Sequence, residues 1–278
     1  YRSTIKKNKI KQNYKIMATT KIDFDQIETG LPTGGDTNYS DVSLLLTMEG
    51  SHGSTTFTDK GPNTYSVSTN GSPSISTDQY KFGTGSYYNN NNATTYLSVD
   101  PAAATFGSDD FAIETWVYLN NISETSYLAS TYTTEKSNGN ASSFGFHGSV
   151  GLAYFTAIGS SDQVYIYEGS TSGWSANTWY HIAVTRSGNT FRIFKDGVEK
   201  ASSTYSGDTY VGSKFIVGNG HWVISDNALD GYLSSFRVTK GVARYTSDFS
   251  IPTEEFGAFQ SNEGKSLVIG SDENVTLQ

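Results

Sequence analysis

The sequence contains no cysteine among its 278 residues. This absence excludes a disulfide framework, a cysteine nucleophile and a thiolate metal site. Proline is scarce, with five residues, and charged residues make up only 17% of the chain. No apolar run approaches the roughly 20 residues that a membrane-spanning helix needs. The chain therefore carries few of the features that mark redox, membrane or strongly charged proteins.

Residue types that favour strands and turns are abundant instead. The chain has 28 glycines, 19 tyrosines and 15 phenylalanines, together with many serine, threonine and asparagine residues. β-branched and aromatic residues interleaved with turn formers favour strands. No window shows a sustained apolar repeat of helical period. The sequence therefore predicts a nearly all-β chain, of a length that is ordinary for a single β-sandwich.

The formal net charge of −8 is unevenly placed. Residues 1–16 hold six basic residues and no acidic one, which leaves 13 basic and 27 acidic residues in 17–278, a net charge of −14. An acidic body repels phosphate backbones, so we expect no nucleic-acid binding by it. The basic arm either touches an anionic surface or is a solvated tail, and its composition fits both.

Alternating patterns define the strands. The stretch 110–119, DFAIETWVYL, places one apolar set on one face and a mixed set on the other: Phe111, Ile113, Val117 and Leu119 against Glu114, Trp116 and Tyr118. Asp196-Gly197 between two alternating runs predicts a tight hairpin. About a dozen short strands separated by turn signals predict two antiparallel sheets packed face to face. The opening strand, residues 42–48, and the closing strand, residues 232–239, are predicted to pair.

Residues 230–252, DGYLSSFRVTKGVARYTSDFSIP, break the alternation. The inward-facing candidates are spaced by three and then by two: Leu233, Phe236 and Val238. That spacing predicts a β-bulge around Ser234-Ser235. The aromatic run that follows, residues 242–249, is predicted to cover an open end of the sandwich and to terminate it, without a catalytic role.

Several blocks occur together in one order: YKFGTGSYY, YLSVD, FAIETWVYL, NTWYHIAVTRSGNTFRIFKDGVEKA and LDGYLSSFRVTKGVARYTSDFSIP. They resemble the concanavalin A-like lectin/glucanase superfamily, in its laminin-G-like jelly-roll branch. The resemblance covers roughly residues 42–257. It implies a two-sheet jelly-roll sandwich, with residues 1–41 as an N-terminal arm or linker and 258–278 as a C-terminal tail. The closing block is similar to the ending of laminin-G-like modules in structural proteins of tailed phages.

Glucanases of this superfamily carry carboxylates two and three residues apart on a central strand. The best match is DFDQIE at residues 23–28, which begins with Asp rather than Glu and precedes the predicted sandwich, so we interpret it as chance spacing. Glu114 is alone on its strand, and His181 in WYHIAV is interpreted as a packed structural histidine. No Ser-His-Asp set is marked by its context. The chain is therefore predicted not to be an enzyme.

Two kinds of binding site have candidates. Many laminin-G-like modules bind one Ca²⁺, and the resemblance makes Asp59 and Asn63 of TDKGPN candidate ligands. The alternative is a plain turn whose side chains satisfy their own backbone. Sugar binding would use exposed aromatic and polar side chains in or near loops, and core packing is the alternative for the aromatic ones. The sugar-binding candidates are Tyr87, Tyr88, Trp174, His221 and Trp222, with the amides Asn89 and Asn90 beside them.

These features favour a non-catalytic structural or binding protein of a phage virion: a capsid decoration, fibre or tail protein that displays a lectin-like sandwich. Its expected partners are other virion proteins, further copies of itself and cell-surface glycans, with no nucleic acid and no membrane. The first alternative is a secreted, extracellular bacterial carbohydrate-binding module, although the residues show no apolar signal-peptide segment. A glycan hydrolase is the second alternative, which the missing acidic pair disfavours.

Overall fold

The computed structural model describes residues 36–132, 141–158, 161–210, 212–220, 227–257, 267–269 and 275–277. Residues 38–257 form one compact unit. In a second unit, two short strands, Leu267–Ile269 and Val275–Leu277, pair antiparallel. None of the helices in the described ranges has the length and apolarity to cross a membrane.

The described part of the larger unit contains fifteen strands. In chain order they are β1 (Val42–Leu46), β2 (Val67–Asn70), β3 (Ser74–Ser76), β4 (Ser86–Asn90), β5 (Tyr96–Val99), β6 (Phe111–Leu119), β7 (Ser126–Tyr132), β8 (Ala141–His147), β9 (Gly151–Ile158), β10 (Ser161–Tyr167), β11 (Trp179–Ser187), β12 (Thr190–Lys195), β13 (Val198–Thr204), β14 (Lys214–Val217) and β15 (Asp230–Lys240). Two short 3₁₀ turns, Tyr39–Asp41 and Pro101–Ala104, precede β1 and β6.

The strands form two antiparallel sheets. One has eight strands in the order β13-β12-β11-β6-β15-β4-β3, with β1 also paired to β15. The other has seven strands in the order β10-β9-β8-β7-β14-β5-β2. This all-β architecture of two antiparallel sheets confirms the predicted jelly-roll sandwich. The pairing of β1 with β15 confirms the predicted contact between the opening and closing strands.

The core lies between the two sheets, and β6 shows how the sequence builds it. Its predicted inward set is buried in the main core cluster: Phe111, Ile113, Val117 and Leu119. The ring of Phe111 stacks on that of Phe106 with centroids 4.1 Å apart. The hairpin between β12 and β13 turns at Asp196 and Gly197, whose φ angles of 49° and 78° are both left-handed, as a tight two-residue turn requires.

Strand β15 contains the predicted bulge. Its register against β6 shifts between Ser234 and Arg237, and Ser235 has a φ of 53°. The extra residue restores the inward phase of the strand. The three apolar side chains that define this phase are all fully buried: Leu233, Phe236 and Val238.

Residues 241–257, which we call the covering segment, do not lie where the sequence predicted. Tyr245 and Phe249 stack on each other at 3.5 Å and contact His181 and Phe194. His181 is flanked along β11 by core residues, so it faces away from the core. The covering segment therefore covers the outer face of the eight-stranded sheet, and the prediction of an open end is wrong. The apolar outward side chains of this sheet explain the difference, because they need cover.

Candidate functional site

The outer face of the eight-stranded sheet is divided into a covered half and an open half. In the covered half the ring of Trp116 is buried against Phe82 at 5.7 Å and under the Lys81 ammonium at 4.1 Å. Phe256 of the covering segment belongs to the same buried cluster. One step further along the strands from Trp116, the side chains are partly exposed. The open half begins there.

Four aromatic residues on four neighbouring strands line the open half. We call them the aromatic row: Tyr88 on β4, Tyr232 on β15, Tyr118 on β6 and Trp179 on β11. Each lies directly opposite the next in the strand register. Their successive ring centroids are 4.8, 5.5 and 5.4 Å apart, and all four residues are partly exposed. Because neighbouring strands lie about 4.8 Å apart, the row spans about 14 Å.

Polar side chains follow the aromatic row at the next outward position of three of these strands. We call them the polar row: Asn90, Asp230 and Asn120. Asp230 pairs with Asn90 in the register, and the Asn120 amide donates to the Asp230 carboxylate at 3.0 Å. Since side chains two residues apart share a face, both rows open on the same surface. The surface therefore combines aromatic carbon with amide and carboxylate groups.

The hydroxyl of Tyr232 stays a hydrogen-bond donor at neutral pH. Burial raises its pKa, and the nearby Tyr88 and Asp78 raise it further. A phenol with a raised pKa remains protonated, so it can donate as well as accept. The aromatic row can thus offer both apolar ring carbon and hydroxyl groups to a ligand.

A carboxylate lies sealed in the covered half. Glu114 is fully buried, and its Oε1 accepts from Nε and Nη2 of Arg237 at 2.9 and 2.8 Å. Its Oε2 accepts from the Tyr245 hydroxyl at 2.7 Å and lies 3.1 Å from Nε2 of His181. We call these four residues the buried ion cluster. They link strands β6, β11 and β15 to the covering segment.

The charges in the buried ion cluster set its protonation. Burial raises the pKa of Glu114, but the Arg237 charge and the His181 hydrogen bond outweigh it and hold that pKa well below its usual range. Burial and the Glu114 charge raise the pKa of Tyr245. Glu114 is therefore an anion whose contacts come from the protein, and a saccharide has no path to it. His181 is fully buried, as its interpretation as a packed structural histidine requires.

The predicted sugar-binding residues lie in different places. Tyr88 is in the aromatic row, but its neighbour Tyr87 faces the core, fully buried, with its ring 5.9 Å from that of Phe57. Trp174 is 5% exposed and packs on Tyr180 at 4.6 Å. Neither buried ring can receive a ligand, which corrects their assignment to a sugar-binding surface. His221 and Trp222 lie outside the described residues, as do the acidic residues 23–28.

Asp59 of the predicted calcium loop is buried and bonded to backbone. Its Oδ1 accepts from the amides of Leu45 and Gly61 at 2.9 and 2.8 Å, and its Oδ2 from that of Tyr65 at 2.8 Å. The Asn63 amide donates to a carbonyl of β1 at 3.1 Å. This geometry is that of the turn alternative, and calcium binding here stays a prediction. The described ranges contain no group of three or more His, Asp or Glu residues placed to hold a metal ion.

Comparison with known protein families agrees with the fold. A sequence profile of the concanavalin A-like lectin/glucanases superfamily matches residues 90–244. The chain belongs to this family. A search of curated protein sequences finds no match.

Solved structures with the same sandwich are distant in sequence. Domain 4 of a GH43 extracellular arabinanase from Geobacillus stearothermophilus, in complex with arabinotriose, is 13% identical with a TM-score of 0.53, over 73% of this chain and 94% of that one. The binding domain of Paraclostridial Mosquitocidal Protein 1 is 16% identical with a TM-score of 0.55, over 74% and 50%. The receptor-binding domain of botulinum neurotoxin type G is 13% identical with a TM-score of 0.51, over 76% and 49%. The chain spans about half the length of each of the two toxin structures. These similarities show the fold alone.

Proposed function

We propose that the protein is a non-catalytic, glycan-binding member of its family. The observation that carries this proposal is the aromatic row with the polar row beside it, open on the outer face of the eight-stranded sheet. Sugar rings have apolar C–H faces and polar hydroxyls, and this surface has partners for both. The fold of an arabinanase domain solved with arabinotriose supports the same class of ligand by analogy.

The aromatic row is suited to a ligand that contacts several of its rings at once. Tyrosine and tryptophan supply large amphipathic contact area at a low cost in conformational entropy. The side chains of the row already pack on one another, so they lose little conformational freedom when a ligand binds. A row that crosses four strands and spans about 14 Å is long enough for more than one sugar ring. We therefore infer an extended glycan as its ligand.

The proposal is for binding without catalysis. Glycoside hydrolysis requires two carboxyl groups flanking the scissile bond. Glu114 is sealed beneath the covering segment, and Asp230 in the polar row is bonded to Asn120. We expect the purified protein to bind a glycan without releasing reducing ends from it.

The binding test uses the full chain on immobilised bacterial and algal polysaccharides, followed by calorimetry on the best ligand. Replacing Tyr232 and Tyr118 together by alanine should weaken binding at least about tenfold, since each lost aromatic contact is worth on the order of 1 kcal/mol. The matched control is Tyr167→Ala, because Tyr167 is 45% exposed on the outer face of the other sheet. A loss of binding in the control and not in the double variant would overturn the assignment of this surface.

We further propose that this module is displayed on a phage virion, as a decoration, fibre or tail protein. The similarity of the closing block to phage modules supports this role. Residues outside the compact unit would contact other virion proteins, and several copies around a symmetry axis would multiply weak glycan contacts into firm attachment.

The virion proposal is tested by truncation. The Tyr39 hydroxyl donates to the Lys60 carbonyl and the Arg244 guanidinium to that of Asn38, so the shortened chain should begin at residue 36. We expect it to keep an all-β circular dichroism spectrum and to fail to associate with particles. A shortened chain that decorates particles as well as the full one would place the attachment surface on the sandwich.

A further inference from the structure

A cleft of about 420 Å³ lies away from the aromatic row, where the chain leaves β1. Residues 46–50 form one side of it, and the loop 54–60 and Thr84 form the rest. Its volume falls in the lower part of the range of small-molecule sites. It shares no residue with the aromatic row or the polar row.

The lining of the cleft is rich in hydroxyl groups. Four threonines contribute to it: Thr47, Thr56, Thr58 and Thr84. Within the described part of the chain, none of these four hydroxyls hydrogen-bonds to another residue, so they are available to a ligand. Phe57 also lines the cleft, but it is only 8% exposed and its ring packs against Tyr87 in the main core. The free hydroxyls match the hydroxyl groups of a sugar ring.

One acid and one base complete the lining. Glu49 and Lys60 are both exposed, and neither forms an ion pair within the described ranges. A carboxylate accepts hydrogen bonds from neighbouring hydroxyls, and an ammonium donates up to three. A neutral polyhydroxyl compound is the class that uses all of these groups.

The backbone of the cleft is held in place. Met48 has a φ of 65°, a left-handed value that is uncommon outside glycine, and its side chain is buried in the main core. Core packing thus fixes the turn between Thr47 and Glu49. Gly83 has a φ of 63°, and a Cβ there would meet the Glu49 carboxylate, so glycine leaves room for it. Uncommon backbone conformations of this kind concentrate at functional sites.

We propose that this cleft binds a neutral saccharide of one or two rings, as a second site separate from the aromatic row. The threonine hydroxyls and the Glu49 carboxylate bind the ring hydroxyls, and Lys60 donates to a ring or glycosidic oxygen. The aromatic row crosses four strands and receives an extended chain, whereas the cleft receives a short sugar or a chain end. The two sites therefore select different parts of a glycan.

The experiment is an NMR titration of the full, ¹⁵N-labelled chain with neutral mono- and disaccharides. We expect the backbone amides of residues 46–50 and 54–58 to shift with saturable, millimolar affinity. The double variant Thr56→Val with Thr58→Val removes two exposed hydroxyls and keeps the branched shape. It should weaken binding about tenfold or more, because each lost hydrogen bond contributes on the order of 1 kcal/mol.

Two controls make the result specific. Thr204→Val changes an exposed threonine on β13 and should leave the titration unchanged. Tyr232→Ala should weaken any binding at the aromatic row and leave the shifts of residues 46–50 and 54–58 unchanged. Glu49→Gln provides a second cleft variant if the double variant does not fold. Shifts confined to the aromatic row, no saturable shift with any sugar of the panel, or equal affinity in the cleft variants and wild type would each overturn the proposal.

Discussion

The two halves of the outer face of the eight-stranded sheet use the same strands for different purposes. In the covered half, β6 contributes Glu114 and Trp116, both sealed beneath other side chains. In the open half the same strand contributes Tyr118, which is partly exposed in a row of aromatic residues. The difference arises from what lies over the sheet, because the covering segment, with Phe82 and Lys81, buries the first half. One half is therefore suited to stability and the other to binding.

Substitution of Glu114 is the most direct test of the stabilising role of the covered half. Glu114→Gln keeps the shape of the side chain but removes the buried carboxylate charge that Arg237 and His181 contact. We expect a loss of about 3–5 kcal/mol in the free energy of unfolding, because removing one partner of a buried ion pair is costly. The matched control is Glu199→Gln, which breaks a partly exposed pair with Arg192 at 3.3 Å and should cost less than about 1 kcal/mol. Urea denaturation measures both, and equal losses would contradict a special role for the covered half.

Stability should also depend on pH through Glu114. Its pKa is lower in the folded chain than its ordinary value of 4.5, so its stabilisation is present above that value and is lost as the pH falls below it. We expect the wild type to lose stability on acidification below about pH 4.5. Glu114→Gln should lack that part of the loss. Parallel stability curves for the two proteins between pH 3 and 6 would contradict the sign.

A core substitution beneath the same sheet gives a reference value for the loss of stability. Phe236→Ala removes a fully buried ring that lies against Phe215 at 6.2 Å, and should cost about 3–5 kcal/mol. Ser234→Ala, on the same strand, should cost far less, because its hydroxyl has no hydrogen-bond partner among the described residues. Equal, small losses in chemical denaturation would remove the account of β15 as a bulged core strand.

The open half should tolerate change. Trp179→Ala removes a partly exposed ring that packs on Tyr118 at 5.4 Å, so we expect a loss of stability of about 1 kcal/mol. Glycan binding should fall by a larger factor than stability does. Denaturation and calorimetry on the same preparation measure the two effects. A loss of stability as large as that of Glu114→Gln would mean that the aromatic row is structural.

The smallest expected effect concerns Glu255 in the covering segment. Burial, and then the charge of Glu49, raise its pKa to about 7. The folded chain therefore holds a proton that the unfolded chain releases, and stability should fall slightly as the pH rises from about 4.5 to 7. Glu255→Gln should flatten this slope, as thermal unfolding at several pH values would show. A steeper slope in the variant would contradict the direction of the shift.

The strands could be predicted from sequence because their signals are local. The two-residue alternation of β6, the Asp196-Gly197 turn and the three-then-two spacing in β15 each lie within about ten residues, and each is confirmed. Core burial followed from the same patterns. The position of the covering segment could not be predicted in this way, since nothing local tells which surface it meets.

The aromatic row was missed for a related reason. Tyr88 and Tyr232 are far apart in the sequence and become neighbours only through the order and register of the strands. Tyr87 and Tyr88 were both predicted to bind sugar, although adjacent residues of a strand face opposite sides of the sheet. The sequence pattern around these two residues does not show which of the two side chains faces the core. The outward position of Tyr118 in the β6 pattern was the one available signal.

The central place of β15 in the eight-stranded sheet has a consequence for synthesis on the ribosome. This strand lies between β6 and β4 and also pairs with β1, yet it is the last strand of the sandwich to be made. Until residue 240 has left the ribosome, β1, β4 and β6 lack their partner strand. Unpaired strand edges of this kind are prone to aggregate. Closing contacts between residues so far apart in the chain is slow. The eight-stranded sheet can therefore close only after the last strand of the sandwich has left the ribosome.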